Sequence, residues 1–166
     1  MVIIKYIGED WQRAGIEKLI AEADEDFVPK LTARRTIEQY LKYISESNTF
    51  IYTQGQDIFG FASYADRETK YDPEGREIFK DEPHLHSLII SEKSRGSGHG
   101  TQLVEACMKD AENKGYSTIV IRTWTTNLRA IKLYKKLGFE IFHSIEKDPL
   151  REHKDGTLYL RKQLKN

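Results

Sequence analysis

Short apolar runs alternate along the chain with segments whose apolar residues recur every third or fourth position, the periodicities of strand and helix. Residues 2–7 form one such run and predict a first strand. Glu9 and Asp10 place negative charge where a helix begins, and Ile16, Leu19, Ile20 and Ala23 follow at helical spacing. The acidic residues Asp24, Glu25 and Asp26, with Pro29 after them, end that helix. A second helix is predicted from about Thr32, carrying Ile37, Tyr40, Leu41 and Ile44 on one face. Residues 49–53 and 57–65 are rich in β-formers and are joined by Gln54, Gly55 and Gln56, the pattern of a hairpin. Gly60, inside the second of these strands, implies a bulge or a close backbone approach.

Residues 66–82 are polar and charged and include Pro73 and Gly75, which predicts a long surface loop. Loops of that length are often functional, although a solvated insertion reads the same way. A strand over residues 84–90 follows, then a helix from about Gly98 to Lys114 stopped by Gly115. A strand over residues 118–122 leads to a helix over residues 127–137, stopped by Gly138. Residues 139–145 and 157–161 read as two closing strands. The order β-α-α-β-β-β-α-β-α-β-β predicts a mixed α/β fold, a sheet covered by helices. No repeat, low-complexity tract or linker interrupts it, so a single domain over residues 1–166 is expected.

Composition narrows the function classes. At 166 residues the chain is long enough to bury a core. Its 26 basic and 26 acidic residues cancel, so no global field favours nucleic acid or an anionic membrane as a partner. No apolar run reaches the ~18 residues of a membrane span, and the first residues lack the basic start and cleavage site of a signal peptide. Cys107 is the only cysteine, which excludes an internal disulfide and makes a cytoplasmic location the expectation. No thiolate-stabilising motif surrounds it, so it reads as a packing residue.

The richest chemistry lies where the strand over residues 84–90 runs through Arg95, Gly96, Ser97, Gly98, His99 and Gly100 into a helix. Such a junction offers unpaired backbone N–H groups and the positive end of a helix dipole, which together suit an anion. Glycine lets phosphate oxygens approach the backbone and permits a positive φ.

Two segments carry a resemblance to a known family. The run H-L-H-S-L-I-I-S-E-K-S-R-G-S-G-H-G, from His84 to Gly100, resembles the acyl-CoA-binding motif of the GNAT N-acetyltransferase superfamily. The run from Asn127 through Ala130 and Tyr134 to Gly138 and Phe139 is similar to its second motif, N-x-x-A-x-x-x-Y-x-x-x-G-F. The element order also matches, so the resemblance covers nearly the whole chain. It implies the GNAT fold, with helices on both faces of a central, mostly antiparallel twisted sheet, and acetyl-CoA as cosubstrate without a metal. The pyrophosphate would then lie on Arg95, Gly96, Ser97, Gly98, His99, Gly100 and Thr101. The pantetheine arm would pair with the backbone of Leu88, Ile89 and Ile90. Arg95 adds charge near a phosphate or is a solvated turn residue, and His99, where many relatives carry an aliphatic side chain, contributes its backbone or, as the lesser alternative, a direct phosphate contact. Asn127 is a helix cap, a CoA contact or both. Glu92 departs from the proline common at its position.

Acetyl transfer to an amine needs a base, because an alkyl ammonium has a pKa of about 10.4. It also needs a donor for the oxyanion, which backbone N–H groups near Leu88–Ile90 can supply, and a proton donor for the departing thiolate. The resemblance gives the last role to Tyr134. His84 and His86 alternate about Leu85 and so share one strand face, where two imidazoles can relay a proton near neutrality. The H-L-H-x-L run is similar to that of arylalkylamine N-acetyltransferases, whose paired histidines serve this purpose. In other relatives such a pair is part of the wall, and Asp81 and Glu82 just upstream are rival bases. The loop that shapes an aromatic pocket in the arylalkylamine enzymes has no counterpart around Phe27, Val28 and Pro29, so their substrates are not carried over.

The function expected is therefore direct acetyl transfer, in a ternary complex, from acetyl-CoA to a primary amine. A small amine is favoured over a protein or peptide amine, with an acyl-CoA sensor as the non-enzymatic alternative. The acidic residues 24–26 would favour a cationic acceptor, while the zero net charge argues against a basic tail. Family analogy adds a homodimer through terminal strands such as residues 158–160.

Overall fold

The computed structural model describes residues 1–26, 30–33, 35–148 and 156–165. Phe27, Val28 and Pro29 lie outside them, and with them the predicted proline stop of the first helix. The elements run β1 (Val2–Lys5), α1 (Asp10–Ala23), α2 (Ile37–Ser45), β2 (Asn48–Gln54), β3 (Asp57–Tyr71) and β4 (Glu77–Ile90). They continue with α3 (His99–Asn113), β5 (Thr118–Trp124), α4 (Leu128–Lys136), β6 (Glu140–Ile145) and β7 (Thr157–Gln163). Single 3-10 turns occupy Asp24–Asp26, Leu31–Ala33 and Glu92–Ser94. The seven strands form a mostly antiparallel mixed sheet in the order β1-β2-β3-β4-β5-β7-β6. β4 and β5 run parallel, in register at His84↔Val120 and Leu85↔Ile121. The order of helices and strands is the one the sequence predicts.

Two predictions need correction. Residues 66–82 are not a loop: β3 continues to Tyr71 and β4 already begins at Glu77. Pro73 and Gly75 mark only the tight turn between them, closed by Asp72 N–H donating to the Arg76 carbonyl (2.9 Å) and Gly75 N–H to the Asp72 carbonyl (3.0 Å). The Asp72 carboxylate braces that turn by accepting from the backbone N–H groups of Glu74 and Arg76 and from Arg76 Nε. The second helix starts at Ile37, not near Thr32. A capping box sets that start, with Thr36 Oγ1 accepting from Gln39 N–H and Gln39 Oε1 accepting from Thr36 N–H.

The chain divides into two compact units, residues 1–64 with 87–107, and residues 65–86 with 108–166. In the first, Ile16, Leu19 and Ile20 of α1 and Leu41 and Ile44 of α2 pack with Ile51, Phe61 and Ile89 of the strands. Gly60 meets both readings of its sequence position. The β2–β3 register slips between Tyr52↔Gly60 and Thr53↔Ile58, and a Cβ on Gly60 would lie 2.6 Å from Ile90 Cδ1 and 3.0 Å from the Ile89 carbonyl oxygen. The second unit is organised around Ile78, Phe79, Val120 and Tyr159, with Phe142 and Ile145 against them.

Candidate active site

In the first unit the end of β4 leads into the glycine turn. Ser91 N–H donates to the Phe59 carbonyl (2.8 Å), and the 3-10 turn closes with Ser94 N–H on the Ser91 carbonyl (2.9 Å). Gly96 and Gly98 then take φ values of +86° and +82°, left-handed backbone that an L side chain rarely adopts. Beyond its chain neighbours, no atom of the described residues lies within 4 Å of the point where either residue would carry a Cβ. α3 opens directly at His99, so its first amides have no intrahelical acceptor. Two polar atoms in this stretch, Ser91 Oγ and His99 Nδ1, are buried without a hydrogen-bond partner among the described residues. An open glycine backbone, helix-end amides and two unsatisfied polar atoms suit the anionic, hydrogen-bonding CoA moiety.

The other residues of the motif behave less uniformly. Arg95 is occupied within its own unit: Nε donates to the Ile90 carbonyl (3.1 Å) and its guanidinium also pairs with Asp26. Its side chain therefore ties the turn to β4 and to the acidic 24–26 segment. The His99 ring stacks on Tyr52, with centroids 4.1 Å apart. Ser97, Gly100 and Thr101 complete the turn and the start of α3. Ile89 is built into the first unit's core, whereas Leu88 and Ile90 are half-buried. The β4–β5 ladder ends at Leu85, so all three lie beyond its last registered pair.

His84, His86, Asn127 and Tyr134 belong to the second unit. His84 is buried, and its Nδ1 lies 2.7 Å from Glu68 Oε2 on β3. Its Nε2 is buried with no hydrogen-bond partner among the described residues, and the ring lies tilted 5.5 Å from Phe79. Burial pushes the His84 pKa down; the Glu68 hydrogen bond and charge pull it back, and Arg122 and Lys70 push it down further. The net direction is down, which keeps the ring neutral at neutral pH. His86 stands half-buried two residues along the same strand.

Tyr134 is buried in α4, its ring edge-on to Phe139 at 6.0 Å. Burial raises its pKa well above the ordinary tyrosine value, so the phenol stays protonated. Asn127 caps α4 by accepting from Ala130 N–H (3.3 Å), which establishes the cap role of the two expected for it. Gly138, at φ +85°, ends the helix. The rival bases are engaged: Glu82 accepts from Arg161 and Thr118, and Asp81 pairs with Arg67. Glu68 lies in the segment whose polar composition predicts a loop, and neither family motif includes it. Residues 67–71 are polar on both alternating sets, so no period-two pattern marks the strand that carries it.

Cys107 is buried in α3 and forms no disulfide. Among the described residues no cluster of three or more His, Cys, Asp or Glu could hold a metal ion, and no helix is long and apolar enough to cross a membrane.

Comparison with known proteins places the chain in a family. Over 85 residues the chain is 34% identical to the L-methionine sulfoximine/L-methionine sulfone acetyltransferase of Pseudomonas aeruginosa, a match covering 51% of this chain and 45% of that protein. The chain matches less than half the length of this and the other first curated relatives. Its fold superposes on aminoglycoside 6'-acetyltransferase type Ii with a TM-score of 0.78 at 15% identity, covering 100% of this chain and 99% of that one. It also superposes on the ribosomal-protein-S18-alanine N-acetyltransferase of Escherichia coli with a TM-score of 0.72 at 15% identity, covering 99% and 96%. The model of the Acetyltransferase (GNAT) family matches residues 9–139. With the glycine turn on α3 and the capped, tyrosine-bearing α4 in place, the chain belongs to the GNAT family of acetyltransferases.

Proposed function

We propose that the protein transfers the acetyl group of acetyl-CoA directly to the primary amine of a small acceptor in a ternary complex. The observation that carries the reading is the left-handed, unobstructed backbone at Gly96 and Gly98 leading into α3. In this reading the amides from Gly96 to Thr101 bind the pyrophosphate, and the backbone of Leu88, Ile89 and Ile90 binds the pantetheine arm. Ser91 Oγ and His99 Nδ1 join them as further hydrogen-bonding atoms, while Arg95 holds the turn in shape.

His84 is the base, and His86 passes the proton onward. A neutral imidazole with a bare Nε2 can take the ammonium proton, after which the amine lone pair attacks the thioester carbon, the carbon–sulfur bond breaks, and the second proton, left on the nitrogen by the attack, passes to the departing thiolate. Tyr134 serves the sulfur. Its raised pKa makes full proton transfer to a thiolate uphill against a thiol near ~8.5, so its part is hydrogen-bond donation to the developing charge. Cys107 takes no part, because it is buried in α3 and no acyl-enzyme step is required.

A small acceptor is supported by the matched relative that acetylates methionine sulfoximine and methionine sulfone, which are amino-acid analogues. A basic protein tail is disfavoured by what holds the acidic 24–26 segment. Asp24 accepts from Thr32 N–H (2.9 Å) and Thr32 Oγ1 (2.8 Å), and Asp26 pairs with Arg95. The test is CoA release from acetyl-CoA across amino acids, polyamines, aminoglycosides, arylalkylamines and peptides with free amines. Turnover confined to a small-amine class supports the reading; turnover of peptides alone overturns it.

A further inference from the structure

We propose that Glu68 is a positioning residue for acetyl transfer: by accepting the Nδ1–H of His84 it fixes the tautomer whose Nε2 lone pair receives the acceptor's proton. This rests on the reading of His84 as the base. The argument begins with donor inventory. An ionised carboxylate only accepts, so the 2.7 Å contact between Glu68 Oε2 and His84 Nδ1 requires the proton on Nδ1. Lys70 Nζ lies 2.9 Å from the same Oε2, an ion pair that favours the carboxylate form of Glu68. A neutral imidazole carries one ring proton, so Nε2 must then be bare.

That bare nitrogen is buried and has no partner among the described residues. An unsatisfied buried acceptor costs about 1–3 kcal/mol, and a purely structural histidine would gain by pairing it. Glu68 is the partner of Nδ1 among the described residues, and a ring protonated on Nε2 has no lone pair to offer there. When Nε2 takes the proton, the ring becomes an imidazolium with Nδ1–H still directed at Glu68. The positive charge thus forms beside a fixed negative one, and the carboxylate itself never changes protonation. The charged groups that act on the ring most strongly are Glu68 and Lys70 from β3 and Arg122 from β5; Phe79 of β4 lies tilted against it.

The backbone contributes to this pairing. Asp81, inside β4, sits at φ +56°, and around it the strict alternation of buried and exposed positions breaks. Aspartate is among the few non-glycine residues that adopt this conformation readily. The irregularity resets the facing of the residues after it, and three positions later His84 meets Glu68.

The test reads the tautomer directly. In protein labelled with 15N at its five histidines, protonated and bare ring nitrogens resonate far apart, and the signal lost in His84→Gln assigns the residue. At pH 8 wild-type His84 is expected to be protonated on Nδ1, and Glu68→Ala to move the proton to Nε2 in whole or large part. With the fastest amine of the panel, His84→Gln should lower kcat about 10²-fold, and Glu68→Ala about tenfold with an unchanged dissociation constant for CoA. In Glu68→Gln the loss of the carboxylate charge should also shift the acidic limb of kcat/KM to lower pH. A wild-type His84 protonated on Nε2 overturns the proposal even if no Glu68 variant folds. Loss of activity in His84→Gln, with tautomer and rate unaltered in Glu68→Ala, overturns the positioning role and leaves the base. Full activity in His84→Gln overturns the base assignment itself, whichever tautomer is seen.

Discussion

Arg161 grips Glu82 through two bonds, Nη2 to Oε1 at 2.6 Å and Nε to Oε2 at 3.0 Å, joining β7 to β4. Thr118 Oγ1 donates to the same carboxylate (2.7 Å), and the guanidinium lies 4.0 Å from the centroid of the Phe142 ring. A bidentate, partly buried pair of this kind is a structural tie, and its carboxylate has little left to offer a substrate. Glu82→Gln should therefore destabilise the protein by about 1–3 kcal/mol and leave the pH profile of kcat/KM where it was. Denaturant unfolding and the pH–rate curve measure the two parts. A displaced acidic limb would return Glu82 to the list of bases.

Gly98 should tolerate no β-branched residue. Its left-handed φ makes an L residue cost about 1–2 kcal/mol, yet a Cβ there meets open space, so the main cost inside the protein is the backbone strain. The variant is expected to fold and to bind CoA at least about tenfold more weakly, because the side chain and the altered backbone both stand where phosphate oxygens would approach. Calorimetric titration with CoA checks this. Unchanged affinity would remove the turn from the binding site.

Tyr134→Phe keeps the ring against Phe139 and removes only the hydroxyl. Turnover should fall by about 10–10²-fold, toward the low end of general-acid effects since the phenol donates a hydrogen bond without giving up its proton. The dissociation constant for acetyl-CoA should stay within about twofold. Because burial raises the phenol's pKa, no alkaline limb near the ordinary tyrosine value of ~10 should come from this residue in the wild type. Such a limb, lost in Tyr134→Phe, would contradict the environment described for it.

What the sequence discloses follows from where its signals are local. The glycine turn, the stops at Gly115 and Gly138, and the Asn127 cap are short-range devices, and each appears in the structure where the residues put it. The β3–β4 hairpin is different. Its outer half is stabilised by pairs between distant charged residues, Arg67 with Asp81 and Lys114 with Asp66, so its composition imitates a loop. The left-handed Asp81 further disrupts the period-two pattern that would reveal the strand. The same misreading hid Glu68, whose role depends on a contact across 16 residues of chain. Arg95 shows a related limit. Its spacing in the motif suggests a phosphate contact, but Asp26, 69 residues away in sequence, competes for the guanidinium.

The depressed pKa of His84 makes a prediction about stability that needs no acceptor. In the unfolded chain histidine titrates near ~6.5, while in the folded protein burial delays protonation to lower pH. Above both values the ring is neutral in either state and the linkage contributes nothing. As the pH falls through ~6.5, the unfolded chain takes up the proton first, so stability declines until the folded-state value is passed. His84→Gln deletes that linkage and leaves the other titrating groups in place. Its unfolding free energy should lie at a roughly constant offset from wild type above ~6.5, with the two curves converging below it. Urea titrations between pH 8 and pH 5 provide the curves. Curves that stay parallel through that window would show that His84 takes up its proton as easily folded as unfolded, against the buried, carboxylate-tethered ring described above.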